Sequence, residues 1–148
     1  MKEAYITVRD RHFLSPYSKD DEFGELKTGC QIGVDGNSIV IKYKESVDEV
    51  NDCQTCLMIK QGVVSMVRVG RFHTNMIFEN KKRHICCYET PFGSLMVGIY
   101  TNAMFIDFSE NGGEVNLAYT IDVSGDLVSE NELKILVEIK EDSDVVTG

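Results

Sequence analysis

Apolar and polar residues alternate along this chain in short segments from one end to the other, and nothing else in the sequence constrains the fold as tightly. In Leu133-Lys134-Ile135-Leu136-Val137-Glu138-Ile139-Lys140, the residues Leu133, Ile135, Val137 and Ile139 fall on one side, with mostly charged residues opposite. Val115-Asn116-Leu117-Ala118-Tyr119-Thr120-Ile121-Asp122-Val123 repeats the pattern. Successive side chains of a strand point to opposite faces, so a period of two describes a sheet with one dry and one wet face. No segment of comparable length holds apolar residues at helical spacing without also fitting the strand pattern. The expectation is an all-β protein.

Turn chemistry divides the alternation into strands. Strands are predicted over residues 3–10 and 25–34, then through Ile39, Ile41 and Tyr43, with Lys42 and Lys44 on the opposite face. Further strands are predicted over 54–59, 63–69, 74–78, 85–90, 114–123 and 130–141. Between them lie Asp35-Gly36-Asn37, Gln61-Gly62, Pro91-Phe92-Gly93, Asn111-Gly112-Gly113 and Ser124-Gly125-Asp126, residues that tolerate positive φ or cannot donate to a ladder. The acidic stretch 45–52 reads as a loop. Residues 94–108 are apolar on both sides, which fits one strand covered on two faces or two strands with a kink near Thr101-Asn102. Short connections place sequence neighbours side by side, giving an antiparallel up-and-down meander of eight to ten strands. Closing it into a barrel removes both edges. Residues 1–141 form a single domain, and 142–148 are expected to be a flexible tail.

Composition excludes several functions. The chain has 148 residues, 43% of them hydrophobic, enough for one domain with a core. Fifteen basic residues against 24 acidic ones give a net charge of −9, the wrong sign for gripping a phosphate backbone. The basic run Lys81-Lys82-Arg83 reads as a solvated hairpin turn, so no nucleic-acid partner is expected. Neither an apolar leader nor a membrane-length apolar run is visible, and the odd set Cys30, Cys53, Cys56, Cys86 and Cys87 argues against a disulfide framework. A cytoplasmic location without membrane contact is expected.

Several runs occur together in a recognisable order: Tyr43-Lys44-Glu45, Val67-Arg68-Val69-Gly70, Met76-Ile77-Phe78, Tyr88-Glu89-Thr90-Pro91-Phe92-Gly93, Tyr100-Thr101-Asn102 and Gly113-Glu114-Val115-Asn116-Leu117-Ala118-Tyr119. They resemble the YwiB-like family, small bacterial proteins of unassigned function, over roughly residues 28–141. The resemblance implies a calycin-like barrel similar in shape to lipocalins and fatty-acid-binding proteins, and it implies no activity. Cys53-Gln54-Thr55-Cys56 lies outside the family pattern.

The candidate chemistry centres on Arg68. Val64, Met66 and Arg68 share one face of their strand, and Val63, Ser65, Val67 and Val69 the other; both are largely apolar, so parity alone leaves the inward side open. If Val64 and Met66 point inward, the guanidinium enters the barrel, where it must find an anion or several acceptors. It then either anchors a carboxylate or phosphate head or pairs structurally with an internal acid. Tyr119 shares a face with Leu117 and Ile121, and Tyr88 with Cys86 and Thr90. Both phenols either fill the core or make a polar spot with Arg68. Arg68, Tyr88, Thr90, Thr101 and Tyr119 make up the candidate ligand-binding set, with Glu89 or Glu114 as candidate inward acids.

Cys53 and Cys56 have the spacing of a zinc half-site, with Cys86, Cys87 and His84 available to complete it. Opposite parity in a strand separates Cys53 from Cys56, however, and no metal is expected. No cofactor is expected either: Gly112-Gly113 precedes no helix, and nothing local supports haem at a histidine. His12, His73 and His84 show no triad spacing, so no catalytic residue is assigned. The expected function is a non-enzymatic barrel holding a small, partly apolar ligand with an acidic head. The alternative is a filled barrel acting through its surface, with a homodimer contact covering the two-sided segment 94–108.

Overall fold

Ten antiparallel strands account for nearly all of residues 1–13, 22–46, 52–70 and 73–140, which the computed structural model describes. They are β1 (Lys2–Phe13), β2 (Glu22–Asp35), β3 (Ser38–Ser46), β4 (Asp52–Lys60), β5 (Val63–Val69), β6 (Thr74–Glu79), β7 (Arg83–Thr90), β8 (Gly93–Ser109), β9 (Gly112–Val123) and β10 (Asp126–Ile139). Each pairs with its sequence neighbour, and β1 pairs with β10 from Ala4↔Ile139 to Phe13↔Glu130, closing the sheet into a barrel. The all-β meander expected from alternation is what the chain forms. The tail 142–148 lies outside the described residues.

The turns sit where sequence chemistry put them. Gly36, Gly62 and Gly125 adopt φ of 61°, 78° and 89°, and Gln61, Lys81 and Ser124 share that left-handed region. Residues 93–109 form one strand, and its register slips between Thr101 and Ala103 where β8 runs along β9. That bulge is the kink expected near Thr101-Asn102. It lets β8 pair with β7 through its first half and β9 through its second. The acidic stretch at 45 is a correction: Glu45 and Ser46 extend β3 and pair with Cys53 and Asp52 of β4.

The inward residues stack in layers that can be followed rung by rung. Ile39↔Ile59↔Val64↔Phe78 and Ile41↔Leu57↔Met66↔Met76 cross β3 to β6. Val8↔Ile135↔Val115↔Ile106 crosses the other wall. Most of these side chains are fully buried, and the edge of the Phe78 ring packs on Tyr119 at 4.8 Å between centroids and 64°. Two intervals of the wall are irregular. Between β2 and β3 the ladder ends at Gln31↔Lys42, and between β6 and β7 only Thr74 and Tyr88 pair.

Candidate functional site

Above the apolar layers, toward the end where β3, β5 and β7 finish, the interior changes character. One rung of inward side chains runs Tyr43↔Thr55↔Arg68↔Thr74↔Tyr88 across five consecutive strands. Every member carries a hydrogen-bonding group, directly over the layer of Ile41, Leu57, Met66 and Met76. Parity enforces this: Val64 and Met66 are buried, so Arg68, two and four residues on, must face inward with them. The orientation of Arg68, open in the sequence, is thereby fixed.

The partner of Arg68 is Glu45, two strands away. Arg68 Nη2 lies 3.5 Å from Glu45 Oε1, and the Thr55 hydroxyl donates to the same oxygen at 3.5 Å. The pair is partly shielded, with side-chain exposures of 30% and 20%. Burial works against the guanidinium charge, but Glu45 and the nearby phenols of Tyr43 and Tyr88 favour it, and its pKa is held above the ordinary value. Glu45 is the internal acid that sequence parity missed. Glu89 and Glu114, the candidates offered for that role, alternate with inward Tyr88 and Val115 and so face outward. Glu89 Oε2 accepts from the His73 backbone N–H at 2.9 Å, and Glu114 from Asn116 at 2.6 Å.

Two polar atoms of this rung find no partner among the described residues. Arg68 Nε is buried and unpaired, and the Tyr43 hydroxyl, beside Thr55 and Glu45, makes no hydrogen bond of acceptable geometry with either. Burial pushes the Tyr43 phenol up to about 12, Glu45 adding to the effect and Arg68 opposing it. Unsatisfied buried donors are costly, roughly 1–3 kcal/mol each, which makes two on one rung unusual.

A second polar rung, Thr101↔Tyr119↔Asn131, faces the first from the β8–β10 wall. All three are buried, and Thr101 Oγ1 has no partner among the described residues. Burial drives the Tyr119 phenol well above the usual tyrosine range, with Tyr88 and Asp10 reinforcing the shift and Arg68 countering it. The structure therefore gathers Arg68, Tyr88 and Tyr119 from the expected set and puts Thr101 one rung-step from Tyr119. Thr90 ends β7 opposite Gly93, and its side chain lies outside those described. Sequence reasoning missed Tyr43, Glu45, Thr55, Thr74 and Asn131 as site members. Their signal was inward parity, legible only once register is known.

Elsewhere the thiols disperse. Cys53 and Cys56 point to opposite faces, Cys86 is buried and its neighbour Cys87 half-buried. Among the described residues no three His, Cys, Asp or Glu side chains converge as a metal site. Among the described residues no helix is long and apolar enough to cross a membrane. A groove of about 480 Å³ lies on the outer wall over β8, β9, β10 and β1, and a smaller one of about 320 Å³ over β2 and β3.

Comparison with known proteins agrees with this architecture. The family model described as a domain of unknown function, DUF1934, matches residues 13–135. The uncharacterized β-barrel protein YwiB of Bacillus subtilis (strain 168) is 25% identical over 122 residues, covering 82% of this chain and 84% of the relative. The crystal structure of YwiB protein from Bacillus subtilis superposes with a TM-score of 0.80 at 21% identity, over 95% of this chain and 93% of that one. At that identity the likeness speaks to the fold.

Proposed function

The chain belongs to the DUF1934 family, a domain of unknown function, and from its barrel we propose an intracellular, non-enzymatic protein that binds a small, partly apolar ligand with an acidic head group. The observation that carries this reading is a pair of donors without a partner among the described residues, Arg68 Nε and the Tyr43 hydroxyl, both borne on one inward rung at one end of the barrel. A carboxylate, sulfonate or phosphate oxygen there would accept from both, while the ligand's apolar part lies against the Ile41, Leu57, Met66 and Met76 layer. Glu45, paired with Arg68 through Nη2, competes with the ligand's head group for the guanidinium. Tyr88, Tyr119 and Thr101 are the further polar side chains of the binding region in this reading.

Anilinonaphthalene sulfonate, an aromatic body with an anionic head, is a suitable probe. Saturable fluorescence enhancement by the wild-type chain, lost in Arg68→Met with folding retained, supports an anchor. Equal enhancement by both proteins refutes it.

A second reading rests on a separate observation. The outer side of β8 leaves Met96 and Phe105 about half exposed, at 56% and 54%. An apolar stripe of this kind suits a protein-interaction surface, with a second copy of the chain as the simplest cover. Sedimentation velocity distinguishes the two: a dimer that Phe105→Glu dissociates supports the interaction module, and a monomer at every concentration removes it.

A further inference from the structure

Resting on the ligand-binding reading above, we infer that the interval between β2 and β3 is the entry port through which an anionic amphiphile reaches the Tyr43–Arg68 rung. The β2–β3 ladder runs from Asp35↔Ser38 to Gln31↔Lys42 and stops. Continuing that register would set Cys30, Gly29 and Thr28 against Tyr43, Lys44 and Glu45, yet none of these pairs. Both strands remain fully laddered on their other sides, β2 to β1 and β3 to β4. The wall is therefore parted along one seam between two intact hairpins.

The parting holds space. The outer-wall groove of about 320 Å³ lies over it, with Glu3, Thr28, Cys30, Lys42, Tyr43 and Lys44 among its lining residues. Tyr43 belongs to both places: it edges this cavity, and its unpartnered hydroxyl sits in the polar rung. Lys42 and Lys44 stand exposed at the rim, and among the described residues neither has a carboxylate partner. On a chain of net charge −9 the two lysines outnumber Glu3, the one carboxylate lining the groove, and make the approach to the seam locally cationic, suited to drawing in an anionic head.

The other irregular interval, β6–β7, is stitched by backbone and side chains. Glu89 N–H donates to the His73 carbonyl at 3.1 Å, Glu89 Oε2 accepts from the His73 N–H at 2.9 Å, and His84 Nε2 and Glu79 Oε1 lie 3.0 Å apart. No side-chain bond of the described residues crosses β2–β3 above Gln31 and Lys42. The seam with neither ladder nor stitches is the one beside the polar rung.

Stopped-flow mixing of the full chain with anilinonaphthalene sulfonate tests the port. A Cβ added at Gly29 would meet only the Ala4 carbonyl, at 3.9 Å, so Gly29→Trp and the smaller Gly29→Leu put bulk over the seam while leaving the ladder to β1 intact. The port requires association and dissociation rates to fall together, by about tenfold, with affinity changed by less than about threefold. The pair Lys42→Gln and Lys44→Gln, which alters no ladder, should slow association about threefold and flatten its salt dependence. Unchanged rates in the Gly29 variants and in the lysine pair overturn the port while leaving the Arg68 anchor standing. Wild-type binding that does not depend on Arg68 overturns the anchor itself, and shows as equal affinity in Arg68→Met.

Discussion

Arg68 on β5 reaches past Thr55 on β4 to meet Glu45 on β3, closing a 3.5 Å ion pair across the inside of the barrel between strands that are not neighbours. The contact runs through Nη2, and Nε has no partner among the described residues. Arg68→Met should weaken anilinonaphthalene sulfonate binding at least tenfold, while Glu45→Gln, which removes the competing carboxylate, should tighten it. Each should cost about 1 kcal/mol of stability in urea titrations. Equal destabilisation by both variants, with binding untouched, is the outcome a structural pair would give.

The β8–β9–β10 wall depends on backbones that approach too closely for side chains. Gly113 has φ of 152°, and a Cβ there would run into the Asp107 carbonyl; Gly112, at 105°, would meet the Val137 carbonyl. Gly113→Ala should destabilise by about 3 kcal/mol or more, measured by chemical denaturation. Gly29→Ala, in open space at ordinary φ, should be near neutral.

Arg83 lies over Gly98 to grip Asp122 with two bonds, Nε to Oδ2 at 3.0 Å and Nη2 to Oδ1 at 2.7 Å. The Arg83 hydrogen bond holds the Asp122 carboxyl below its usual pKa. A depressed carboxylate stabilises above its unfolded pKa, about 3.9, and loses that contribution as pH falls through the lower folded value. The stability gap between wild type and Asp122→Asn should therefore be widest near neutrality and close below about pH 4. Gly98→Ala, which displaces the guanidinium, should remove the same pH-dependent component; a gap that persists in acid would contradict this.

Tyr43 gives the opposite limb. Its phenol titrates near 12, against about 10 in the unfolded chain, so the stability it contributes is complete below pH 10 and lost as pH rises toward 12. Tyrosine ionisation followed by ultraviolet absorbance should show a late step absent from Tyr43→Phe. Alkaline unfolding of that variant should begin at higher pH.

The fold was legible because alternation needs only backbone geometry: Leu133, Ile135 and Val137 are buried on the face their spacing assigned. The site was legible only in part. Residues 63–69 are apolar on both sides, so nothing local said which way Arg68 points, and the answer came from which of its neighbours the barrel encloses. Glu45 hid in an acidic run that resembles a solvated loop, yet it continues the inward series Ile39, Ile41 and Tyr43 by one more step. The parted β2–β3 seam left no trace at all, since alternation persists in a strand whether or not it has a partner on each side.

The central claim is that an acidic head docks on Arg68 inside the barrel, and the arginine side-chain Nε–H signals test it most directly. During titration with anilinonaphthalene sulfonate, the Arg68 resonance should shift saturably with the same midpoint as the fluorescence, while Arg83, on the outer wall, stays still. If the fluorescence saturates and Arg68 does not move, or if Arg9 and Arg11 beside the outer groove move instead, the ligand is not where this account places it.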